Sequence, residues 1–331
     1  MKILVTGATG FVGSHLCENL VDLGHELYVL VRSHKKAQEF ATPGKLLLGD
    51  LSLVSIQKWS TELPGDLDCV IHTAGIVHAY DPADFDTINT QASINLFNEL
   101  SQKIDQAHFI FVSSLAALGP SQRGTIATID SPVSRYGHSK KQAELELSKL
   151  ITMSSWRLNI VRPPMIIGPR DPAMLDLFQM IEGRILLYPG LDAGAKEYSF
   201  VCVYDLVSMI TIMCEREDLE DQVLYCSYPQ IVTYREITSL IAQQLNKKIF
   251  ILPLPLMMIK SVSLLLKFLS FLLPIKARLT PDKVKEISAA AWTCDGSANQ
   301  SQLIKMKYQW DLGSTIQETI NDYRKRGWLK F

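Results

Sequence analysis

Tyr136-Gly137-His138-Ser139-Lys140 sets a phenol and an ammonium four residues apart. On a helix, residues at i and i+4 share one face. A free tyrosine titrates near pH ~10 and is a poor base at neutrality. A neighbouring lysine cation favours the phenolate and lowers that pKa, which turns the phenol into a usable general acid/base. The same lysine can hold ribose hydroxyls. Ser113-Ser114 closes the apolar run Phe109 to Val112. A hydroxyl at the carboxyl end of a central strand can orient and polarise a carbonyl. Taken singly, both patterns are weak: Tyr-x-x-x-Lys arises by chance in many helices, and a strand-end serine often caps a turn.

A third group supplies what such a pair would act with. Thr6-Gly7-Ala8-Thr9-Gly10-Phe11-Val12-Gly13 follows an apolar run and opens a helical pattern. Gly7 permits a tight turn, Gly10 admits close approach of a diphosphate, and Gly13 lets helix and strand pack closely. Free N–H groups and the helix dipole then favour the anion. NAD-binding chains usually carry an acid at the end of the second strand, about 20 residues on, for the ribose hydroxyls. Here that place reads Val31-Arg32-Ser33, with Lys35 and Lys36 following. Arg32 suits the 2′-phosphate of NADP, so NADP(H) is expected ahead of NAD(H). The other reading of Arg32 is a solvated loop charge. Asp50, in Gly49-Asp50-Leu51, is placed either to touch adenine or to cap a helix.

These groups need a scaffold that gathers them. Short apolar runs recur at Ile3 to Val5, Leu27 to Val31, Leu46 to Leu48, Cys69 to Ile71, Phe109 to Val112 and Ile160-Val161. They are continuous, as in strands buried on both faces of a parallel sheet. Helical patterns near 12–23, 53–61, 84–104 and 134–150 lie between them. The alternation predicts an α/β, Rossmann-type doubly wound sheet over residues 1–165. After about residue 165 prolines break the pattern, and 166–331 reads as a smaller C-terminal substrate lobe, some of whose segments can return to the sheet. Its strands are expected at Tyr198 to Val203 and Val223 to Cys226. A lobe over the carboxyl edge of the sheet makes a cleft.

Composition narrows the function classes. With 47% hydrophobic residues in 331, the chain can bury a large core. A net charge of −1 gives no field for nucleic acid, and the tryptophans are too scattered for a base-stacking platform. The six cysteines form no C-x-x-C pair and sit in apolar surroundings, which suits reduced thiols in a cytoplasmic setting. The seven histidines show no metal-ligand spacing, so no metal is expected. Met1 runs almost directly into a strand, so no signal peptide is expected.

The ordered set TGATGFVG, Gly49-Asp50-Leu51, His72-Thr73-Ala74-Gly75, Asn89, Val112-Ser113-Ser114, Tyr136-x-x-x-Lys140 and Arg162-Pro163-Pro164 resembles the extended short-chain dehydrogenase/reductases, the epimerase/dehydratase superfamily. The resemblance spans about the first 170 residues. It implies Ser114, Tyr136 and Lys140 as catalytic residues, with Ser114 a better match than Ser113. It implies a cofactor site of Gly7, Thr9, Gly10, Phe11, Val12 and Gly13 at the diphosphate and Arg32, Asp50 and Leu51 at the adenosine. Thr73, Ala74 and Gly75 would line it, with Asn89, Ser113, Tyr136, Lys140 and Pro163 around the nicotinamide and its ribose. Sugar-nucleotide members usually carry an asparagine after the sixth strand and an arginine in the C-terminal lobe, both on substrate phosphate. Here proline stands at the first place and Tyr198 at the second. The Val31-Arg32-Ser33 and Arg-Pro-Pro patterns look more like the dihydroflavonol-reductase and 3β-hydroxysteroid-dehydrogenase side. The expectation is an oxidoreductase acting on a small, uncharged, apolar carbonyl or secondary alcohol, with His78, Met165 and Tyr198 as substrate candidates. A sugar-nucleotide epimerase or dehydratase is the second reading, and a dinucleotide-binding protein without turnover the third.

One stretch stands apart from this scheme. Residues 252–275 read LPLPLMMIKSVSLLLKFLSFLLPI. Prolines bracket it and two lysines interrupt it, so it suits an amphipathic helix better than a membrane span. On a helical wheel Lys260, Ser261, Ser263, Lys267 and Ser270 fall on one side. Met258, Val262, Leu265, Leu269, Leu272 and Leu273 fall on the other. Three roles stay open: a helix packed in the lobe or at a dimer seam, a cover for a greasy pocket, or peripheral membrane contact through 255–273, which Arg278, Lys283 and Lys285 would favour. A homodimer through the helices at 84–104 and 134–150 is likewise open.

Overall fold

The computed structural model describes the chain apart from Tyr80, Glu220, 273–278, 297–303, Lys305 and Phe331, and apart from the side chains of 270–272. Six strands, β1 (Lys2–Thr6), β2 (Glu26–Val31), β3 (Lys45–Leu48), β4 (Cys69–His72), β5 (His108–Val112) and β6 (Arg157–Val161), run parallel. Next come β7 (Met165–Ile167), β8 (Ile185–Pro189), β9 (Glu197–Tyr198) and β10 (Phe200–Cys202) in smaller sheets, and β11 (Gln222–Leu224) returns beside β6. The main sheet has seven strands in the order β11-β6-β5-β4-β1-β2-β3, the doubly wound arrangement.

Both faces of this sheet are apolar because both are covered. Ile3, Val5, Ile71 and Ile110 point to a core shared with α1 (Phe11–Asp22). Leu4, Val70, Phe109 and Phe111, the alternate positions, point to a second core. That core is closed at one end of the sheet by Ile56 and Trp59 of α3 (Leu53–Trp59), while α2 (His34–Glu39) follows β2. Towards its centre lies a broken helix formed by α4 (Ala83–Phe85), a π-helical turn Asp86–Gln91 and α5 (Ala92–Ser101). The helix α6 (Arg135–Ile151) packs beside it through Ala143 and Leu147.

A third core gathers Phe178 of α7 (Leu175–Glu182), Ile237 and Ile241 of α9 (Tyr234–Gln244), Leu186 and Phe200. Between those helices, α8 (Val203–Glu215) instead packs on α1 under the main sheet. The remaining elements are β12 (Val232–Thr233), β13 (Phe250–Leu254), α10 (Leu256–Leu272), α11 (Pro281–Ser288), β14 (Ala291–Trp292) and α12 (Leu312–Lys325). Ile316, Ile320 and Tyr323 of α12 join the third core.

Two expectations for the C-terminal half need correction. Tyr198 to Val203 is not one strand: β9 pairs with β12 and β14, whereas β10 pairs with β7. The chain changes partners at Ser199, whose hydroxyl accepts from Cys294 N at 3.1 Å and whose N–H reaches Trp292 O. The strand expected at Val223 to Cys226 is β11, Gln222–Leu224, and it is one of the segments that return to the main sheet. The apolar stretch divides into β13 and α10, and its wheel is turned from the amphipathic expectation. Ser263 is buried, whereas Met258, Val262 and Leu265 are exposed. The Ser263 hydroxyl donates to Lys260 O at 2.8 Å, so its burial leaves no orphaned polar atom. Leu273 and Arg278 lie outside the described residues. All six cysteines are free and buried.

Candidate active site

The glycine loop joins β1 to α1 at the carboxyl edge of the sheet. Gly7 has φ +74°, a left-handed conformation that disfavours any side chain. A Cβ at Gly13 would stand 2.2 Å from Gly7 O, so only glycine lets the helix seat on the loop. The helix N-cap, Gly10, brings no capping side chain, and its first turn carries no acid. A helix leaves its first amides without intrahelical acceptors, so those of Phe11, Val12 and Gly13 face the loop available to an anion. A dinucleotide diphosphate fits this cradle.

At the adenosine end, Arg32 is exposed after β2. It lies close enough to Asp50 to help hold that carboxyl below its usual range, although hydrogen bonds from Ser52 contribute more. Asp50 accepts from Ser52 N at 2.9 Å and from Ser52 Oγ at 2.6 Å, which fixes the loop entering α3, while Leu51 is half-buried. The structure thus brings Arg32, Asp50 and Leu51 to one end of the glycine loop's strand edge.

Sequence reasoning gave His72 no individual role, yet it organises the middle of the site. Its Nε2 lies 2.9 Å from Ser93 Oγ, and that hydroxyl donates to Asn89 O at 2.7 Å. Ser93 therefore accepts from Nε2–H, and Nδ1, 2.6 Å from Thr6 Oγ1, accepts from the threonine. Full burial, assisted by the Lys140 charge, pushes the imidazole down to about 3 and keeps it neutral. This relay ties the ends of β1 and β4 to the π turn, a helix irregularity common at functional sites. Asn89, in that turn, accepts from Ile76 N at 2.8 Å and donates to Ile76 O and Ser139 Oγ, each at 3.0 Å. Thr73 Oγ1 donates to Thr6 O at 2.7 Å, and Ala74 and Gly75 continue past it.

The catalytic candidates converge on this frame. Ser114 leaves β5 in extended conformation, and its hydroxyl accepts from Ala116 N at 3.1 Å. The Ser114 side chain lies near enough to the Tyr136 phenol of α6 to pull its pKa down. Ser113 is turned away, donating to Glu144 Oε1 at 2.5 Å. Lys140 is buried beneath, its Nζ donating to Val112 O at 2.9 Å and standing 4.6 Å from the centre of the Phe111 ring. The same Nζ would be 3.4 Å from a Cβ on Gly75, so the ammonium looks onto the loop that would line a ribose.

One electrostatic expectation is overturned. Burial pushes the Tyr136 hydroxyl up to about 12; the Ser114 side chain works against this and the Glu286 charge adds to it. The Lys140 ammonium is driven down to about 8 by burial, with Glu144 opposing. It is turned to the Val112 carbonyl of β5.

Behind β5 lies an ion cluster that the sequence did not announce. Arg162 donates to Glu144 through Nε (2.9 Å) and Nη2 (2.5 Å), to Asp130 Oδ1 at 2.7 Å and to Tyr225 OH at 2.9 Å. Arg162 and Glu144 are 3% and 2% exposed. The cluster cross-links β6 to α6 under Ser113. Next in the chain, Pro163 O accepts from Leu115 N at 2.9 Å and holds the Ser114 turn.

On the substrate side, α11 meets the start of α6. Arg135 N donates to Asp282 Oδ1 at 2.8 Å, and Ser134 Oγ donates to Glu286 Oε1 at 2.7 Å while capping Gly137 N. A cavity of about 190 Å³ adjoins them, lined by Phe85, Arg135, Leu266, Lys267 and residues of α11. Phe85 packs 6.1 Å, ring to ring, from Tyr136. His78 is exposed in the loop after β4. Met165 and Tyr198 pack on the third core instead, Tyr198 at 6.2 Å from Tyr234. Among the described residues no group of His, Cys, Asp and Glu is arranged to hold a metal.

Comparison with known proteins agrees with this architecture. Residues 3–225 match the NAD dependent epimerase/dehydratase family. The chain is 28% identical to a ceramide reductase of Caulobacter vibrioides over 330 residues, covering 99% of this chain and 96% of that one. It is also 28% identical to a UDP-glucose 4-epimerase of Vibrio cholerae over 272 residues, 77% of this chain and 79% of the relative. Among solved structures, the UDP-glucose 4-epimerase of Thermus thermophilus in complex with NAD superposes with a TM-score of 0.78. It covers 98% of this chain and 99% of its own at 20% identity, a likeness of fold.

Proposed function

The chain belongs to the NAD dependent epimerase/dehydratase family, and on that footing we propose that it is an NADP(H)-using oxidoreductase that interconverts an apolar carbonyl and its secondary alcohol. The observation that carries this reading is the convergence of Ser114, at the carboxyl edge of β5, and Tyr136, at the start of α6, close enough for the serine to act on the phenol. Two hydroxyls held together there can grip one carbonyl oxygen. The nicotinamide, when bound, supplies or accepts the hydride.

Ser114 donates to the substrate oxygen and polarises it. Tyr136, neutral at physiological pH with its hydroxyl near 12, hands over its proton as the oxygen gains charge. Lys140 holds the ribose hydroxyls beside Gly75, with Asn89 stiffening the turn opposite. Gly7, Thr9, Gly10, Phe11, Val12 and Gly13 cradle the diphosphate, and Arg32 takes the 2′-phosphate. An apolar substrate is favoured by the stretch Arg162-Pro163-Pro164-Met165, which offers no asparagine to a substrate phosphate. The end-to-end similarity to a ceramide reductase points the same way.

Tyr136→Phe tests the chemistry. Turnover of a carbonyl panel with NADPH should fall by at least about a hundredfold, with NADPH affinity within about twofold. A variant as active as the parent overturns the assignment. The second reading, a sugar-nucleotide epimerase, draws on the Vibrio cholerae relative. It would show as NAD retained through purification and interconversion of UDP-hexoses without added cofactor.

A further inference from the structure

We infer that the outer face of β8, β13 and α10 is a docking surface for an anionic phospholipid bilayer. β8 and β13 pair in parallel, with Ile185 opposite Phe250 and Leu187 opposite Leu252. Register partners lie on the same face of a sheet. Leu186 and Tyr188, the alternate residues, fill the third core, so the face carrying those two pairs looks outward. All four of its side chains are exposed, Phe250 to 68%. Pro255 leads straight from this ribbon into α10, and Leu256 lies against Gly190 at the end of β8, so ribbon and helix form one surface.

On α10 the inward side is narrow. Ile259 and Ser263 are buried and Leu266 half-buried, a spacing of one helical stripe. The outward arc is apolar, with Met257, Leu264 and Phe268 exposed to 80%, 61% and 62%. Lys260 and Lys267 stand on the border between the two arcs and are exposed. A surface helix normally hides its apolar arc. This one presents it, and a contiguous apolar surface rimmed by basic residues marks an interaction site.

Charge selects the occupant. From Ile237 to Leu272 the sequence contains no Asp or Glu, while it carries Lys247, Lys248, Lys260 and Lys267. Arg184 and Lys248 are exposed at the open end of the ribbon. A two-fold contact with a second copy would set this basic rim against itself. An anionic bilayer satisfies both halves of the pattern, taking the apolar arc into its interface and the lysines at its headgroups. A surface position suits it better than a span: its described part has 17 residues where a span needs about 20, and among the described residues no helix is long and apolar enough to cross a membrane. The surface stands whatever chemistry Tyr136 performs. Should the substrate be a lipid, the inner side of the same helix lines the cavity beside Phe85 through Leu266 and Lys267.

The test is co-sedimentation of the full chain with extruded vesicles, either pure phosphatidylcholine or three parts phosphatidylcholine to one part phosphatidylglycerol. The chain should pellet with the anionic vesicles and be released as salt rises. Leu264→Glu combined with Phe268→Glu should weaken binding at least tenfold without changing the thermal midpoint or NADPH affinity. Lys248→Glu and Lys260→Glu should each cost about fivefold on the anionic vesicles and little on the neutral ones. Failure of the parent to pellet overturns the proposal, as does undiminished binding by the double glutamate variant. So does a dimer in sedimentation velocity that the same variant dissociates while vesicles bind neither protein, since the occupant is then a second copy.

Discussion

Arg162→Met is the most informative perturbation of the frame behind the active site. The substitution removes five hydrogen bonds: two to Glu144, two to Asp130 and one to Tyr225. Asp130 keeps Lys141 as an ion partner and is partly exposed. Glu144 fares worse. It is buried, it retains the hydroxyl of Ser113, and Lys141 stands 3.7 Å away. Stripping one member from a buried pair leaves a charge the interior cannot solvate, at a cost of about 3–5 kcal/mol. With a urea slope of about 3 kcal/mol per molar, the unfolding midpoint falls by about 1–1.7 M. Methionine fills much of the volume, so a cavity contributes little.

Urea unfolding followed by fluorescence measures this directly. Glu144→Gln in the Arg162→Met background separates lost charge from lost shape, because glutamine still accepts from Ser113. The double variant should regain more than half of the lost stability, a coupling of about 2 kcal/mol. A single variant within about 1 kcal/mol of the parent refutes the reasoning, and so does a double variant no more stable than the single. Turnover adds an independent reading: Tyr136 lies on α6, which the cluster fastens, and Ser114 follows Ser113, which donates to Glu144, so kcat should fall in Arg162→Met more than KM rises.

Three further outcomes are expected. Gly13→Ala drives a methyl to 2.2 Å from Gly7 O, and should abolish NADPH binding and lower the thermal midpoint, both read in one nucleotide-titrated melting series. Arg32→Ala should weaken NADPH about tenfold, worth about 1.4 kcal/mol, and leave NADH unchanged; equal loss for both would make Arg32 a general contact. Lys140 has a folded pKa of about 8 against an ordinary 10.5. The unfolded chain therefore binds more protons across that window, and stability from this group rises with pH between them. Burying the ammonium costs roughly 3 kcal/mol at neutral pH. Lys140→Met should thus be the more stable protein at pH 7, with its advantage shrinking towards pH 10, as paired urea titrations would reveal.

The parts of this molecule that were legible in the sequence are those whose signal is local. Continuous apolar runs mark strands covered on both sides, and the main sheet follows. Glycines at 7, 10 and 13 report a backbone crowding that no other residue relieves. Ser114 and Tyr136 were legible as a pair through the order of the motifs, since their spacing alone says nothing. What stayed hidden depends on which surfaces meet. Glu144, Arg162 and Asp130 come from a helix, a strand end and a loop, and only the packing of α6 on the sheet makes them one cluster. The pKa of Tyr136 was misjudged because helical spacing placed Lys140 nearby but could not weigh burial, or foresee the Val112 carbonyl that holds the ammonium. The wheel of α10 gave an apolar and a polar side without saying which faced solvent. Ser263 could go inward because its hydroxyl is satisfied by its own helix.

The stretch from β13 to β14 ties these features into one mechanical unit. β13 and α10 carry the exposed apolar arc, and α11 follows and closes on the start of α6 through Asp282 and Glu286. Trp292 in β14 then locks α11 by donating its indole N–H to Glu286 O at 3.0 Å. Glu286 sits at the junction: it accepts from the N-cap serine of α6, pairs with Lys283 at 2.7 Å, and its charge raises the Tyr136 hydroxyl. A shift of α11 relative to α6 would therefore change the field at the proton-donating group without moving any residue of the glycine loop. Glu286→Gln isolates that coupling. Removing the charge lets the Tyr136 hydroxyl fall from about 12, so the alkaline limb of the pH–rate profile should move to lower pH. The amide can still accept from Ser134, so the cap of α6 survives. A limb that stays in place while stability drops would mean that Glu286 only fastens the helix.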